Sequence, residues 1–202
     1  MAGSAEPLIG LILAGGKGSR CAGRDKAWLR LDGRPLVCHA RERLQPQVGC
    51  LVISANRHRW AYARLGLQSI ADEPGWLHCG PLAALASAWR RFPGAVLAIV
   101  PIDCPLAPRD QVQPLHERVK TDARAAALRC EGRQQPLFAV LHGSLAGAAE
   151  DALRAPRPPA MRVWLEAMGV HWLDWPDIRA DEFSNINRLE DLRGLEGKCG
   201  PD

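Results

Sequence analysis

Residues 13–26 read Leu-Ala-Gly-Gly-Lys-Gly-Ser-Arg-Cys-Ala-Gly-Arg-Asp-Lys, and their residue types suit phosphate binding. Gly15, Gly16, Gly18 and Gly23 let the main chain approach a ligand and turn N–H groups toward it. Lys17, Arg20, Arg24 and Lys26 place four cations within ten residues. Together they describe a cradle for a polyphosphate. Two widespread nucleotide loops do not fit. The P-loop pattern G-x-x-x-x-G-K-S/T fails because Gly23 is followed by Arg24 and Asp25, and the dinucleotide pattern G-x-G-x-x-G fails because Cys21 stands at the third glycine.

Two acids stand just beyond apolar stretches: Asp72 after residues 68–71 and Asp103 after residues 95–100. Aspartates at such points cap turns and helices or face a ligand. His58 and His78 lie nearby in sequence without a pattern that gives them a role, and no Ser-His-Asp arrangement is evident. The seven cysteines are scattered, with no C-x-x-C pair, so a zinc framework or a disulfide scaffold is not expected. Most of them read as small buried apolar groups in a reducing cytosol.

Positioning these residues requires a sheet. Leu8–Leu13, Cys50–Ile53 and Ala95–Val100 are short apolar runs expected to be strands buried on both faces, and Gln68–Ala71, Ala123–Leu128 and Leu137–Leu141 are further strand candidates. Helices are expected over Pro35–Gln45, Arg57–Leu65, Pro81–Arg91, Arg109–Lys120 (with Pro114 awkward inside it), Ser144–Leu153, Met161–Met168 and Arg188–Leu195. This alternation predicts a mostly parallel sheet with helices on both sides, in which ligands sit beyond the carboxyl ends of the strands. The glycine-rich stretch, residues 54–57, Asp72 and Asp103 all follow strands.

At 202 residues, 47% of them hydrophobic, the chain fits one domain, residues 1–202, and no repeat or linker divides it. The net charge of +4 is only mildly basic, and Arg57-His58-Arg59-Trp60 is an isolated basic and aromatic tetrad, so nucleic acid is not expected as a partner. No apolar run approaches the ~20 residues of a membrane helix. Met1–Pro7 holds Glu6 and no Lys or Arg, which argues against a signal peptide and for a cytoplasmic location.

The stretch LAGGKGSR followed by GRDKAWLRLDGRPL resembles the signature of the MobA family, the molybdenum cofactor guanylyltransferases. The resemblance continues through Ser54-Ala55-Asn56-Arg57, Asp72 with Gly80-Pro81-Leu82, Asp103-Cys104-Pro105, Gln135-Pro136-Leu137 and Asn185-Ile186-Asn187, from residue 8 to about residue 195. It implies a three-layer α/β/α, Rossmann-like nucleotidyltransferase fold. It also implies transfer of GMP from GTP to molybdopterin, with Mg²⁺ as cofactor.

By that resemblance, Leu13, Ala14 and Gly15 contact the guanine nucleotide through the main chain, with Ser54 and Asp72 also on the GTP. Lys26 is a phosphate ligand, Arg20 stabilises charge developing on the α-phosphate and pyrophosphate, and Asp103 binds both GTP and Mg²⁺. Asn185 and Asn187 face the acceptor, so that the N-terminal half holds the nucleotide and the C-terminal half the molybdopterin. Transient contacts with proteins that deliver or receive the cofactor are implied as well. The chain departs from the family pattern at Cys21-Ala22, where Met-Gly is usual, and at Ser54, where some relatives carry Asn. Two alternatives stay open: cytidylyl or other nucleotidyl transfer to a related phosphorylated acceptor, because the base-reading contacts are largely main-chain, and an inactive nucleotide-binding homologue, which these departures allow.

Overall fold

Side chains alternate between the two faces of a strand, and the residues of β1 (Leu8–Leu13) divide accordingly. Ile9 and Leu11 enter one buried cluster and Ile12 the other. The same division holds in β6 (Val96–Pro101), buried at every position: Val96, Ala98 and Val100 face one side, Leu97 and Ile99 the other. The computed structural model describes residues 6–15, 25–175, 180–183, 185–186, 189–195 and 197.

Among the described residues, seven strands form one sheet in the order β5-β4-β1-β6-β8-β7-β9. It comprises β1, β4 (Cys50–Ser54), β5 (Gln68–Ile70), β6, β7 (Ala125–Cys130), β8 (Arg133–Leu141) and β9 (His171–Asp174). Strands β5, β4, β1 and β6 are mutually parallel, β8 runs antiparallel between β6 and β7, and β9 is parallel to β7. The fold class expected from the alternation, a mostly parallel sheet between helical layers, is the one observed.

One face is covered by α1 (Leu36–Leu44), α2 (Arg59–Arg64) and α4 (Val112–Thr121), through Val37, Leu44, Tyr62, Leu115 and Val119. The other carries α3 (Pro81–Arg91), α5 (Ala146–Leu153) and α6 (Met161–Ala167), through Leu82, Leu85, Trp89, Leu153 and Trp164. A Cβ at Gly10 would lie 2.9 Å from both Leu51 Cδ1 and Val48 Cγ2, so the missing side chain lets α1 and the segment after it settle onto the central strand.

The sheet changes direction at β1. From it the chain steps outward to β4 and β5, then returns through α3 to β6 on the opposite side of β1. Such a reversal opens a crevice between the carboxyl ends of the two strands concerned, here β1 and β6.

Several boundaries differ from expectation. Helix α4 begins at Val112, three residues later than the sequence suggested, so Pro114 falls in its first turn, where no intrahelical N–H is lost. Strand β8 is longer than its apolar half, Leu137–Leu141. Three strands were not anticipated: β2 (Arg30–Leu31) and β3 (Arg34–Pro35), a hairpin too short for a pattern, and β9, whose residues are mostly half-buried. The last described helix is α7 (Leu189–Arg193). Among the described residues no helix is long and apolar enough to cross a membrane.

Candidate active site

A cavity of about 390 Å³ occupies the crevice at the carboxyl ends of β1 and β6. Leu13, Ala14, Gly15, Lys26, Ser54, Asp72 and Asp103 all line it. Apart from Lys26, these residues come from four strand ends, those of β1, β4, β5 and β6, gathered because parallel strands end on the same edge. The main chain is braced there: Ala14 N donates to Ser54 O (3.0 Å), and Ile102 N donates to Leu13 O (3.1 Å).

Lys26 begins a single turn of 3-10 helix, Lys26–Trp28. The turn is capped by Asp25, whose Oδ1 accepts from Ala27 N at 3.1 Å. The other carboxylate oxygen, Oδ2, accepts from Tyr62 Oη at 3.1 Å and lies 3.3 Å from His58 Nδ1. Tyr62 is fully buried and stacks on Trp28 with ring centroids 5.2 Å apart. Helix α2 therefore fixes the end of the glycine-rich stretch. Burial, reinforced by the Asp25 carboxylate, pushes the Tyr62 hydroxyl well above its ordinary range, so it remains a donor.

From this turn Lys26 Nζ donates to Asp103 Oδ2 at 2.8 Å. Asp103 follows the last residue of β6 by two positions, and its main-chain oxygen accepts from Ile186 N at 2.8 Å. Next to it, buried Cys104 donates through Sγ to Asn185 Oδ1 at 2.8 Å and lies 3.5 Å from Phe183 O. Phe183 in turn packs edge-on against Phe138, at 4.9 Å between centroids. Late residues of the chain are thus latched to the strand end that carries Asp103. The Cys104 thiol is pushed up by burial and by the neighbouring Asp103 charge, which suits a packing and hydrogen-bonding group rather than a nucleophile.

Asp72 is buried, with 8% exposure. Its Oδ2 accepts from Asn56 Nδ2 at 2.7 Å, and its main-chain N donates to Asn56 Oδ1 at 2.8 Å. Oδ1 is buried with no hydrogen-bond partner. Burial raises the Asp72 carboxyl above its ordinary range, opposed by the Asn56 hydrogen bond and by His78.

The remaining wall contains groups that the sequence reading did not single out as ligands: Asp25, His78, Gly80, Pro81, Ala84 and Leu137. Gly80 has φ +77° and ψ −159°, a conformation open to glycine alone, and it allows α3 to start at Pro81 on the cavity edge. Leu137 reaches the site because β8 runs antiparallel to β6: the Ile99–Ala139 pairing sets Leu137 beside Pro101. Asp25, Gly80-Pro81 and Leu137 do lie in segments that carry the resemblance, whereas His78 had no signal beyond proximity in sequence. Asn185 is exposed and sits on the Cys104 side of the strand end. Arg20 and Asn187, together with Lys17, Arg24, Cys21 and Ala22, lie outside the described residues.

Among the described residues no group of three or more His, Cys, Asp or Glu side chains converges to hold a metal. The Asp103 carboxylate on the wall of this cavity is a donor set that fits Mg²⁺, which takes most of its oxygens from phosphates and water.

The family model described as the MobA-like NTP transferase domain matches residues 10–171. A molybdenum cofactor guanylyltransferase from Burkholderia ambifaria is 36% identical, over 96% of this chain and 98% of that protein. One from Shewanella sediminis is 33% identical, over 92% and 93% respectively. Among solved structures, molybdopterin-guanine dinucleotide biosynthesis protein A from Archaeoglobus fulgidus superposes with a TM-score of 0.75 at 26% identity, covering 95% of this chain and 98% of that one.

Proposed function

Because this chain belongs to the MobA-like NTP transferase family, we propose that it transfers GMP from GTP to molybdopterin, releasing pyrophosphate. The observation that carries this reading is the Lys26–Asp103 pair, 2.8 Å apart, in the same cavity as Leu13, Ala14, Gly15, Ser54 and Asp72. The names of the curated relatives support guanine and the molybdenum cofactor as the substrates.

The acceptor's terminal phosphate is already an anion near neutral pH, so attack on the α-phosphorus needs no general base. The difficulty is bringing two polyanions together. Lys26 serves as a phosphate ligand from a turn that Asp25, Tyr62 and Trp28 hold in place. Arg20 adds positive charge on the α-phosphate and the leaving pyrophosphate. The main chain at Leu13, Ala14 and Gly15 receives the nucleoside, with Ser54 and Asp72 against it. Asn185 and Asn187 face the acceptor, which divides the chain into a nucleotide half and an acceptor half. Asp103 is the residue that would hold Mg²⁺, and the bound ion supplies charge neutralisation on the phosphates. We place the reaction in the cytoplasm, with transient contact to the proteins that deliver or receive the cofactor.

The test is mass spectrometry of the product formed by purified protein from GTP, Mg²⁺ and molybdopterin. The expected product is the acceptor enlarged by one GMP. Asp103→Ala should lower the rate by about 10²-fold or more, the scale of losing one group that stabilises transition-state charge. Unchanged Mg²⁺-dependent transfer in that variant would remove Asp103 from the metal site, and a preference for CTP would replace guanylyl with cytidylyl transfer.

A further inference from the structure

The Asn56 amide is oriented without ambiguity. Its Oδ1 accepts from the main-chain N–H of Asp72 at 2.8 Å, so its Nδ2 must face Asp72 Oδ2, 2.7 Å away. Asn56 therefore satisfies one carboxylate oxygen with a donor, while Oδ1 stays buried and without a partner on a residue that lines the cavity. The pair is held in register by Ala55 N donating to Ile70 O at 2.8 Å, which joins the ends of β4 and β5. It is also adjacent to the nucleoside-binding main chain, since a Cβ at Gly15 would lie 3.8 Å from Asn56 Nδ2.

An ionised carboxylate in a fixed orientation selects for adjacent donors. Guanine carries two on one edge, N1–H and the 2-amino group. Adenine and cytosine each offer one donor beside an acceptor, and that acceptor would face the carboxylate lone pairs. A protonated or freely turning Asp72 would lose this discrimination, because a carboxylic acid both donates and accepts. Asn56 opposes both changes, through a donor that favours the ionised form and through two hydrogen bonds that fix the side chain.

We propose that Asn56 is the positioning residue for guanine selection, holding Asp72 as an oriented acceptor for the 2-amino and N1–H donors of the base. The proposal rests on the guanylyl-transfer reading above. ITP, which lacks only the 2-amino group, is the probe.

Equilibrium binding and kcat/KM are measured for GTP and ITP, with Mg²⁺, for the unaltered protein, Asn56→Ala and Asn56→Asp. The unaltered protein should favour GTP over ITP by about 10-fold or more, the scale of one hydrogen bond to a charged group. Both variants should bring that ratio down at least ~5-fold, because GTP loses two contacts to Asp72 where ITP, which keeps N1–H alone, loses one. Asn56→Asp keeps the size of the side chain but sets a second carboxyl against Asp72; the two share one proton, so Asp72 is no longer a purely accepting group, and this variant carries the test if Asn56→Ala does not fold. A fall in GTP and ITP together, with their ratio unchanged, would mean that Asn56 is merely structural and would overturn the proposal while leaving guanylyl transfer intact. Absence of any GTP preference in the unaltered protein would overturn both.

Discussion

Lys26 and Asp103 stand 77 positions apart in sequence, yet their charged atoms are 2.8 Å apart. Both side chains are mostly buried, at 22% and 16% exposure, so their attraction is less screened than that of the surface pairs such as Arg129–Asp174. The pairing holds the ammonium at the cavity wall, where, in the proposed reaction, an arriving triphosphate would compete with Asp103 for it. Lys26→Ala should weaken Mg²⁺·GTP binding by about 10-fold or more, the range for a charge-assisted hydrogen bond, as measured by calorimetry. An unchanged affinity would remove Lys26 from the phosphate cradle. Asp72 illustrates a different tension. Its buried Oδ1 has no partner, a cost to the free protein that a donor-bearing ligand would offset.

At the scale of elements, the site depends on helix α2 and the late segment, whose described residues lie outside the cavity lining. Helix α2 acts through Tyr62 and Asp25, and the late segment through Phe183, Cys104 and Ile186. The sheet edge behind them is set by close approaches that particular residues permit. Gly143, after β8, is one: a Cβ there would fall 2.6 Å from the main-chain carbon of Gly94, just before β6. Backbone cannot yield as a side-chain tip can, so Gly143→Ala should destabilise by about 2 kcal/mol, within the usual range for overpacking. A urea melt measures this, and a midpoint equal to that of the unaltered protein would show that the Gly94–Gly143 contact relaxes freely.

For the whole molecule, the sheet is packed on both faces by separate clusters, leaving the carboxyl edge of its parallel strands as the open end of the crevice. A ligand bridging residues from β1, β4, β5 and β6 ties these segments together and stabilises the fold by mass action. At 100 times its dissociation constant, Mg²⁺·GTP should add about 2.7 kcal/mol, which for a chain near 200 residues raises Tm by roughly 5–10 °C. Thermal denaturation with GTP and with CTP at equal concentration reads this out. An equal shift from CTP would argue against guanine selection.

The alternation of apolar runs and amphipathic helices, and with it the parallel α/β architecture, is legible in the residues alone, because buried strands and helix starts follow local pattern. Local pattern also placed Asp72, Asp103 and the glycine-rich stretch at strand ends. It did not reach the Asp25–Tyr62–Trp28 brace, the Asn56–Asp72 pair or the Cys104–Asn185 latch, since each joins residues distant in sequence and none has a periodic signature. The antiparallel setting of β8 was equally out of reach, because a strand's direction depends on which neighbour it pairs with and not on its own residues. Tertiary structure alone decided which oxygen of Asp72 is bonded and which is left open, because burial and hydrogen bonding belong to the assembled crevice.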